Sequence, residues 1–159
     1  KSMADGMPIS AIVGTDKVMD SSGPNSLGGT YTGSPTACAA ALAGFDVIKE
    51  EDILGKSQRL GDKLRARFDQ WQEQFTHVDN ARNMGPMAAF ELVESKESRK
   101  PMPELVAAIT KKAKEKGLIL LSCGMYGNTL RFLMPVTIED EVLEEGLNIV
   151  EECLKEVGA

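Results

Sequence analysis

The spacing of apolar side chains along the chain predicts both helices and strands. Over residues 53–75, apolar residues recur every three or four positions between charged ones, which predicts an amphipathic helix with Trp71 in its buried stripe. Ala88, Phe90 and Leu92 instead alternate with the residues between them, and this period of two predicts a half-buried strand. The chain is therefore expected to combine helices with a sheet.

Further elements follow from the same patterns and from turn and capping residues. They are a strand over 9–14, a helical turn over 16–20, helices over 35–50 and 104–116, strands over 118–122 and 129–134, and a last helix that starts at Thr137 with Asp140 in capping-box position. From about residue 50 the predicted order is α-β-α-β-β-α, an α+β module with a small, mainly antiparallel sheet covered by helices. The helix over 35–50 is apolar on nearly every face, so we expect neighbours to pack on several sides of it.

Composition and charge argue against several classes of protein. The 159 residues carry a net charge of −6, with acidic residues concentrated near the C-terminus, which disfavours binding to a nucleic-acid backbone. No apolar run is long enough to span a membrane, and because no basic stretch precedes an apolar one, we expect no secretory signal. Cys38, Cys123 and Cys153 show no disulfide or zinc spacing, which favours a reducing cytoplasm. Because the chain starts at Lys1 without an initiator methionine, we expect it to be part of a longer polypeptide.

A glycine-rich loop is the first candidate for chemistry. Gly28, Gly29 and Thr30 lie in a stretch too rich in Gly, Ser, Asn and Pro to form a helix or a central strand, and Pro35 follows at a predicted helix start. Glycines allow an anion to approach the backbone, and the N–H groups at a helix start favour negative charge. These residues alone leave two interpretations open, a phosphate-binding loop and an ordinary turn.

Arg131 is the second candidate, because it interrupts an apolar strand. Its neighbours Leu130 and Phe132 are predicted to face the core, so the arginine is expected on the opposite face. An arginine at such a position costs desolvation unless an anion meets it. Its guanidinium suits a bidentate clamp on a substrate carboxylate, but an ion pair with one of the chain's own acids explains the position equally well.

Three segments, Lys1–Pro8, Leu27–Pro35 and Gly117–Arg131, together resemble one enzyme family, the class III (fold type I) aminotransferases that depend on pyridoxal 5'-phosphate (PLP). Lys1–Pro8 (KSMADGMP) is similar to the segment whose lysine binds the cofactor covalently, and Leu27–Pro35 (LGGTYTGSP) to the loop whose threonine reaches the cofactor phosphate of the partner subunit. Gly117–Arg131 (GLILLSCGMYGNTLR) looks specifically like the 4-aminobutyrate aminotransferase branch, in which the arginine grips the α-carboxylate of glutamate or 2-oxoglutarate. The similarity covers essentially the whole chain, with a departure at Pro86, which removes a backbone donor and for which we expect a local change.

The resemblance implies a fold, a division into domains and a set of functional residues. The fold is α/β overall, with residues 1–50 as the C-terminal remainder of the large PLP-binding domain and its connecting helix, and residues 51–159 as the small C-terminal α+β domain. The implied site residues are Lys1 as the catalytic and cofactor-binding residue, Gly28, Gly29 and Thr30 as cofactor-binding residues, and Arg131 as the substrate-binding residue. No metal is implied.

The implied reaction moves an amino group from 4-aminobutyrate to 2-oxoglutarate and gives succinate semialdehyde and L-glutamate. The implied partners are these small amine and 2-oxo acid substrates, a second copy of the chain in a homodimer or higher oligomer, and an upstream segment of the same protein that supplies the remaining cofactor contacts. Because Arg131 serves the glutamate half of the reaction, putrescine, ornithine or another ω-amine is an alternative donor. The alternative outside enzyme catalysis is a catalytically inactive fragment or a binding module without a cofactor.

Overall fold

The computed structural model describes residues 3–159, so Lys1 and Ser2 lie outside the described residues. The elements of the described range are α1 (Asp16–Met19), α2 (Pro35–Glu50), α3 (Ile53–Gln74), β1 (Val78–Met84), β2 (Met87–Leu92), α4 (Pro103–Glu115), β3 (Leu121–Cys123), β4 (Thr129–Phe132) and α5 (Asp140–Val157). The chain divides into two compact units, of which the first ends at Ile53 and the second runs Leu54–Ala159. Of the helices in the described range, none has the length and apolar character needed to cross a membrane.

The second unit contains a four-stranded sheet in the order β1-β2-β4-β3, and all its neighbouring strands are antiparallel. The predicted antiparallel sheet with covering helices is confirmed, but the predicted element order lacked one strand, β1. This strand lies at the sheet edge, has polar or charged residues at four of its seven positions and contains a bulge between Asp79 and Arg82. It therefore shows no period-two apolar pattern from which a strand is predicted.

One face of the sheet packs against the helices and forms one side of the hydrophobic core. Phe90 on β2 and Leu130 on β4 are completely buried, and they lie directly opposite each other. From α3, Phe68 and Trp71 contact Phe90, with ring centroids 5.2 Å and 5.9 Å away. Each such buried aromatic side chain contributes roughly 1.5–3 kcal/mol to stability. The prediction that the Trp71 stripe belongs to the core is confirmed.

Two predicted element starts in the second unit are wrong. The last helix begins at Asp140 and not at Thr137, because Thr137 lies in a turn in which the Ile138 N–H donates to the Pro135 carbonyl at 3.1 Å. The third strand begins only at Leu121, since the N–H of Leu118 donates to the Ala113 carbonyl and caps the end of α4. Both errors are of a few residues and leave the order of the elements intact.

The first unit consists of α1, α2 and the loops that lead to them. Helix α2 has the predicted bounds, yet within the described residues only Ala37 and Ala41 of this helix are buried, and large side chains such as Phe45 are exposed. The strand predicted over 9–14 is absent: these residues are irregular, and Val13 is 94% exposed. A strand requires a neighbour for its backbone N–H and C=O groups, and no strand pairs with 9–14 in the part of the chain that the structure describes.

Candidate functional site

The glycine-rich loop that precedes α2 presents free backbone donors to solvent. Gly28, Gly29 and Thr30 are all exposed, and a turn follows in which the Thr32 N–H donates to the Gly29 carbonyl at 3.1 Å. Within residues 3–159, the N–H groups of Gly28, Gly29 and Thr30 have no hydrogen-bond acceptor. Such a group of unsatisfied donors on one short loop is chemically suited to an anion with several oxygen atoms.

The space around this loop is open on the side where side chains would project. A Cβ atom added to Gly28 would meet nothing within 4 Å, and one added to Gly29 would meet only the Thr32 hydroxyl at 3.6 Å. Gly33, with φ of 71°, then turns the chain into α2, and Ser34 at the helix start makes no side-chain cap bond. The loop therefore places its free N–H groups directly before a helix N-terminus.

The described part of the Lys1–Pro8 segment lies against α2. Ala4 is 1% exposed, and the Met7 N–H donates to its carbonyl at 3.0 Å, which closes a tight turn. A Cβ atom on Gly44 of α2 would come within 3.6 Å of an Asp5 carboxylate oxygen. Helix α2 thus follows the glycine loop in sequence and also contacts the turn that follows the predicted catalytic lysine, which is itself outside the described residues.

Arg131 lies on β4 with its side chain on the face of the sheet opposite the core. Its neighbours Leu130 and Phe132 are buried, whereas Arg131 is exposed, as the alternation predicted. In the sheet it stands between Ala89 of β2 and Leu121 of β3, so a small and an apolar side chain flank it across the strands. Neither of these two cross-strand neighbours can form an ion pair with its guanidinium.

The acids of the sheet leave Arg131 without an ionic partner. The four strands carry two acidic residues, and both already have another cation: Glu91 binds Arg82 at 2.9 Å, and Asp79 lies 3.5 Å from Arg99. Across residues 3–159, the side chain of Arg131 forms no hydrogen bond or ion pair. Of the two interpretations that the sequence left open, the internal ion pair is absent from the described residues.

The position of Arg131 along the sheet is fixed by the loop before it. Asn128 is 4% exposed. Its side-chain amide donates to the Leu92 carbonyl at 3.2 Å, and its backbone carbonyl accepts from the Leu92 N–H at 2.7 Å. Gly124, with φ of 86°, lies so close to Thr129 that a Cβ atom would come within 2.6 Å of the threonine hydroxyl. The loop over 123–128 therefore accepts few alternative conformations, and β4 starts at a defined register.

A cavity of about 220 Å³ lies beside Arg131, between β3, the end of β4 and α5. Arg131 is the single charged residue that lines it, because the other lining residues are apolar or glycine. A larger cavity of about 410 Å³ lies between α3 and the start of α5, and it contains none of the predicted site residues.

The structure brings together some of the predicted residues and adds others. Gly28, Gly29 and Thr30 form one loop of the first unit, while Arg131 belongs to the second unit. The partners of Glu91 were not predicted, although they control which charges on the sheet are free. Their pairing depends on strand register and on the bulge in β1, and neither follows from the spacing of residues in the sequence.

Comparisons with known proteins agree on a single family. The sequence profile described as aminotransferase class-III matches residues 1–154. The chain is 50% identical to the 5-aminovalerate aminotransferase DavT of Pseudomonas aeruginosa over 99% of its length, and 44% identical to the 4-aminobutyrate aminotransferase GabT of Escherichia coli over 98%. It spans 37% of the length of each of these two relatives.

Solved structures resemble the fold over a similar share of their length. A phospholyase from Arthrobacter in complex with phosphoethanolamine superposes with a TM-score of 0.86 at 28% identity, over 96% of this chain and 36% of the other. A transaminase from the marine bacterium Virgibacillus gives a TM-score of 0.75 at 27% identity, over 89% of this chain and 33% of the other. The same architecture is thus present in proteins described as transaminases and in one described as a phospholyase.

Proposed function

Because this chain belongs to the class-III aminotransferase family, we propose that it forms the C-terminal part of a PLP-dependent enzyme that transfers an amino group from 4-aminobutyrate to 2-oxoglutarate. The products are succinate semialdehyde and L-glutamate. The observation that carries the proposal is the guanidinium of Arg131, which has no ionic partner within residues 3–159, in a sheet whose two acidic strand residues are paired with other cations. Such a group suits the carboxylate of an amino acid or 2-oxo acid.

The two units have different roles in this proposal. Residues 1–50 are the end of the large cofactor-binding domain with its connecting helix, and residues 51–159 are the small domain. The division of the chain after Ile53 into two compact units supports this assignment. The exposed apolar side chains of α2, such as Leu42 and Phe45, fit a helix that packs against further parts of the large domain.

The residues of the glycine loop fit the phosphate of PLP. The N–H groups of Gly28, Gly29 and Thr30 and the Thr30 hydroxyl are donors without acceptors in the described part of the chain, and a phosphate offers several acceptor oxygens to such a loop. When bound, PLP supplies an electron sink for charge that develops on the substrate carbon. We assign Thr30 as a ligand to the phosphate of the PLP that the partner subunit binds, so the active enzyme is a homodimer.

Lys1 is the proposed catalytic residue. Its ε-amine would hold the cofactor and, when free, would move a proton to and from the reacting carbon of the substrate. The similarity of Lys1–Pro8 to the family's lysine segment supports this role. The turn after it packs against α2, the helix that the phosphate loop leads into, which ties the two cofactor-binding segments to one element.

Arg131 orients the acceptor in the second half of the reaction. Its planar guanidinium donates two parallel hydrogen bonds to the α-carboxylate of 2-oxoglutarate or glutamate, and this holds the 2-oxo carbon in a fixed direction. Apolar side chains line the cavity beside it. Because the donor amine lacks an α-carboxylate, Arg131 does not select the donor.

A second donor, 5-aminovalerate, is favoured by the 50% identity to DavT. This compound is one methylene longer than 4-aminobutyrate, and a pocket separates two such substrates by only about 1–3 kcal/mol. Comparing kcat/KM for 4-aminobutyrate, 5-aminovalerate and putrescine decides among donors.

We place the enzyme in the cytoplasm, since Cys38, Cys123 and Cys153 are all unpaired, as in a reducing compartment.

The test of the proposed function is Arg131→Met in the full-length protein. We expect KM for 2-oxoglutarate to rise roughly 10- to 100-fold, as for loss of hydrogen bonds to a charged group. The first half-reaction, followed by the cofactor spectrum with 4-aminobutyrate alone, should keep its rate. Lys111→Met, which removes an exposed cation from α4, is the matched control and should change neither quantity. Unaltered 2-oxoglutarate binding in Arg131→Met would contradict the proposal.

A further inference from the structure

Two arginines stand on either side of Ala89 on the exposed face of the sheet. The register pairs Ala89 of β2 with Arg82 of β1 on one side and with Arg131 of β4 on the other. All three residues therefore project to the same face, and the small alanine leaves the space between the two guanidinium groups open. The row has one arginine that is ion-paired and one that is not.

Glu91 is a diagonal neighbour of both arginines. It lies two residues beyond Ala89 on β2, directly opposite Thr129, which is itself two residues before Arg131 on β4. Diagonal neighbours of this kind are about 7–8 Å apart at their Cα atoms, a distance that glutamate and arginine side chains span. The carboxylate of Glu91 can thus form an ion pair on either side of Ala89.

The structure shows Glu91 held on the β1 side by an ion pair and a hydrogen bond. Its Oε1 atom lies 2.9 Å from Arg82 Nη1 in the ion pair, and it accepts a hydrogen bond from the Asn80 side-chain amide at 2.9 Å. Arg82 is held in turn, because the same Nη1 donates to the Asn80 carbonyl at 2.9 Å. The bulge between Asp79 and Arg82 brings Asn80 into this arrangement, with φ of 50° at Asn80.

We propose that Arg82 is a positioning residue for the Arg131 site: it retains Glu91 on the β1 side of Ala89 and so leaves the Arg131 guanidinium available to a substrate carboxylate. The inference rests on the proposed function, in which Arg131 binds the acceptor. Without Arg82, Glu91 still has Arg131 as a diagonal neighbour on β4, while the guanidinium of Arg99 lies 3.5 Å from Asp79. The acceptor would then have to displace an internal carboxylate before it could bind.

The expected cost of this competition is moderate. Glu91 is 27% exposed and Arg82 is 47% exposed, so water screens both ion pairs. Partly exposed pairs of this type change an equilibrium by roughly a factor of five. We therefore expect Arg82→Met to raise KM for 2-oxoglutarate about fivefold while kcat at saturation stays within about twofold.

The decisive experiment is a rescue in the full-length holoenzyme. Arg82→Met is compared with the double variant Arg82→Met/Glu91→Gln, in which no carboxylate is left to occupy Arg131, and KM for 2-oxoglutarate should return to the wild-type value. Damage to the sheet would not be repaired by a second substitution in it. Arg82→Lys, which keeps the cation, should stay near the wild type. Arg99→Met, which frees Asp79 instead, is the matched control and should leave KM unchanged.

A crystal structure of the Arg82→Met protein separates this inference from the proposed function. We expect the Glu91 carboxylate within 4 Å of the Arg131 guanidinium, whatever reaction the enzyme catalyses. A structure in which Glu91 keeps away from Arg131, or a double variant as impaired as the single one, overturns the inference. If Arg131→Met leaves 2-oxoglutarate binding unaltered, the proposed function fails, and the crystal structure alone decides the role of Arg82.

Discussion

Gly61 of α3 lies in backbone contact with Gly85 in the turn between β1 and β2. A Cβ atom on Gly61 would come within 2.6 Å of the Gly85 carbonyl carbon. Asn83 joins the two, because its amide donates to the Gly61 carbonyl at 3.1 Å and to the Gly85 carbonyl at 3.0 Å. This contact fixes α3 against the hairpin that carries Arg82 and Glu91.

Gly61→Ala is expected to destabilise the fold by about 1–3 kcal/mol. The new methyl group would overlap with backbone atoms, which cannot turn aside as a side chain can, so the helix or the hairpin must shift. The free energy of unfolding in urea measures the loss. An unchanged midpoint would show that the helix and the hairpin separate at little cost.

Gly146→Ala is the matched control for this substitution. Gly146 is also a glycine inside a helix, but a Cβ atom there would lie 3.7 Å from Leu118 Cδ1, an ordinary contact distance. Alanine is favoured over glycine in a helix interior by up to about 1 kcal/mol. We therefore expect Gly146→Ala to raise stability, so that the two alanine substitutions have effects of opposite sign.

Elements with a clear apolar pattern could be predicted from the sequence. Elements whose formation depends on tertiary contacts could not. The stripe of α3 and the alternation of β2 follow from apolar spacing, and both elements form as predicted. The edge strand β1 lacked such a pattern, because its pairing depends on a bulge and on polar side chains. The apolar run over 9–14 has the composition of a strand, yet no partner strand for it exists in the described part of the chain.

The candidate site divides in the same way. The direction of Arg131 followed from alternation along one strand. The sequence did not show whether an acid neutralises Arg131. The chain contains 24 acidic residues, and the answer depends on which of them lie on the same face of the sheet. Register places only Asp79 and Glu91 there among the strand residues, and local partners hold both. Lys1 remains a prediction from the family resemblance.

Thr30→Val tests the phosphate loop. Valine keeps the shape of threonine but removes the hydroxyl donor, so the affinity for PLP in the full-length protein should fall about tenfold. Equilibrium dialysis of the cofactor measures this directly. Thr32→Val is the matched control, because Thr32 is an exposed threonine of the same loop that contributes its N–H to a turn. Equal losses in the two variants would contradict a specific role of Thr30.

Lys1 is testable by mass spectrometry. Borohydride makes the covalent link between a lysine and PLP permanent, so the peptide that contains Lys1 should gain the mass of the reduced cofactor. Lys1→Ala should remove this label and the activity together. Lys17→Ala, at an exposed lysine of α1, should keep both. If borohydride attached the label to another lysine of the wild-type protein, the catalytic role would belong to that lysine.

Glu151 of α5 ties α3 to α5 through a charged cluster beside Trp71. Its carboxylate accepts from Lys155 at 2.6 Å, from Trp71 Nε1 at 3.1 Å and from Arg67 at 2.9 Å. Lys155, followed by Trp71 and Arg67, lowers the pKa of Glu151 from its ordinary value near 4.5 to about 2. The folded chain thus binds a proton at this group less readily than the unfolded chain does.

The stability that Glu151 provides should be present above pH 4.5 and lost as the pH falls toward 2. Only the charged carboxylate makes these bonds, and acidification favours the unfolded chain, which takes up the proton first. After allowance for the exposed Lys155, we expect Glu151→Gln to cost about 2 kcal/mol at pH 7 and progressively less below pH 4.5. Urea unfolding at pH 7, 4 and 2.5 measures the difference from the unmodified chain. Glu145→Gln, at an exposed position of the same helix, should show no such dependence, and a constant difference at all three values would contradict the linkage.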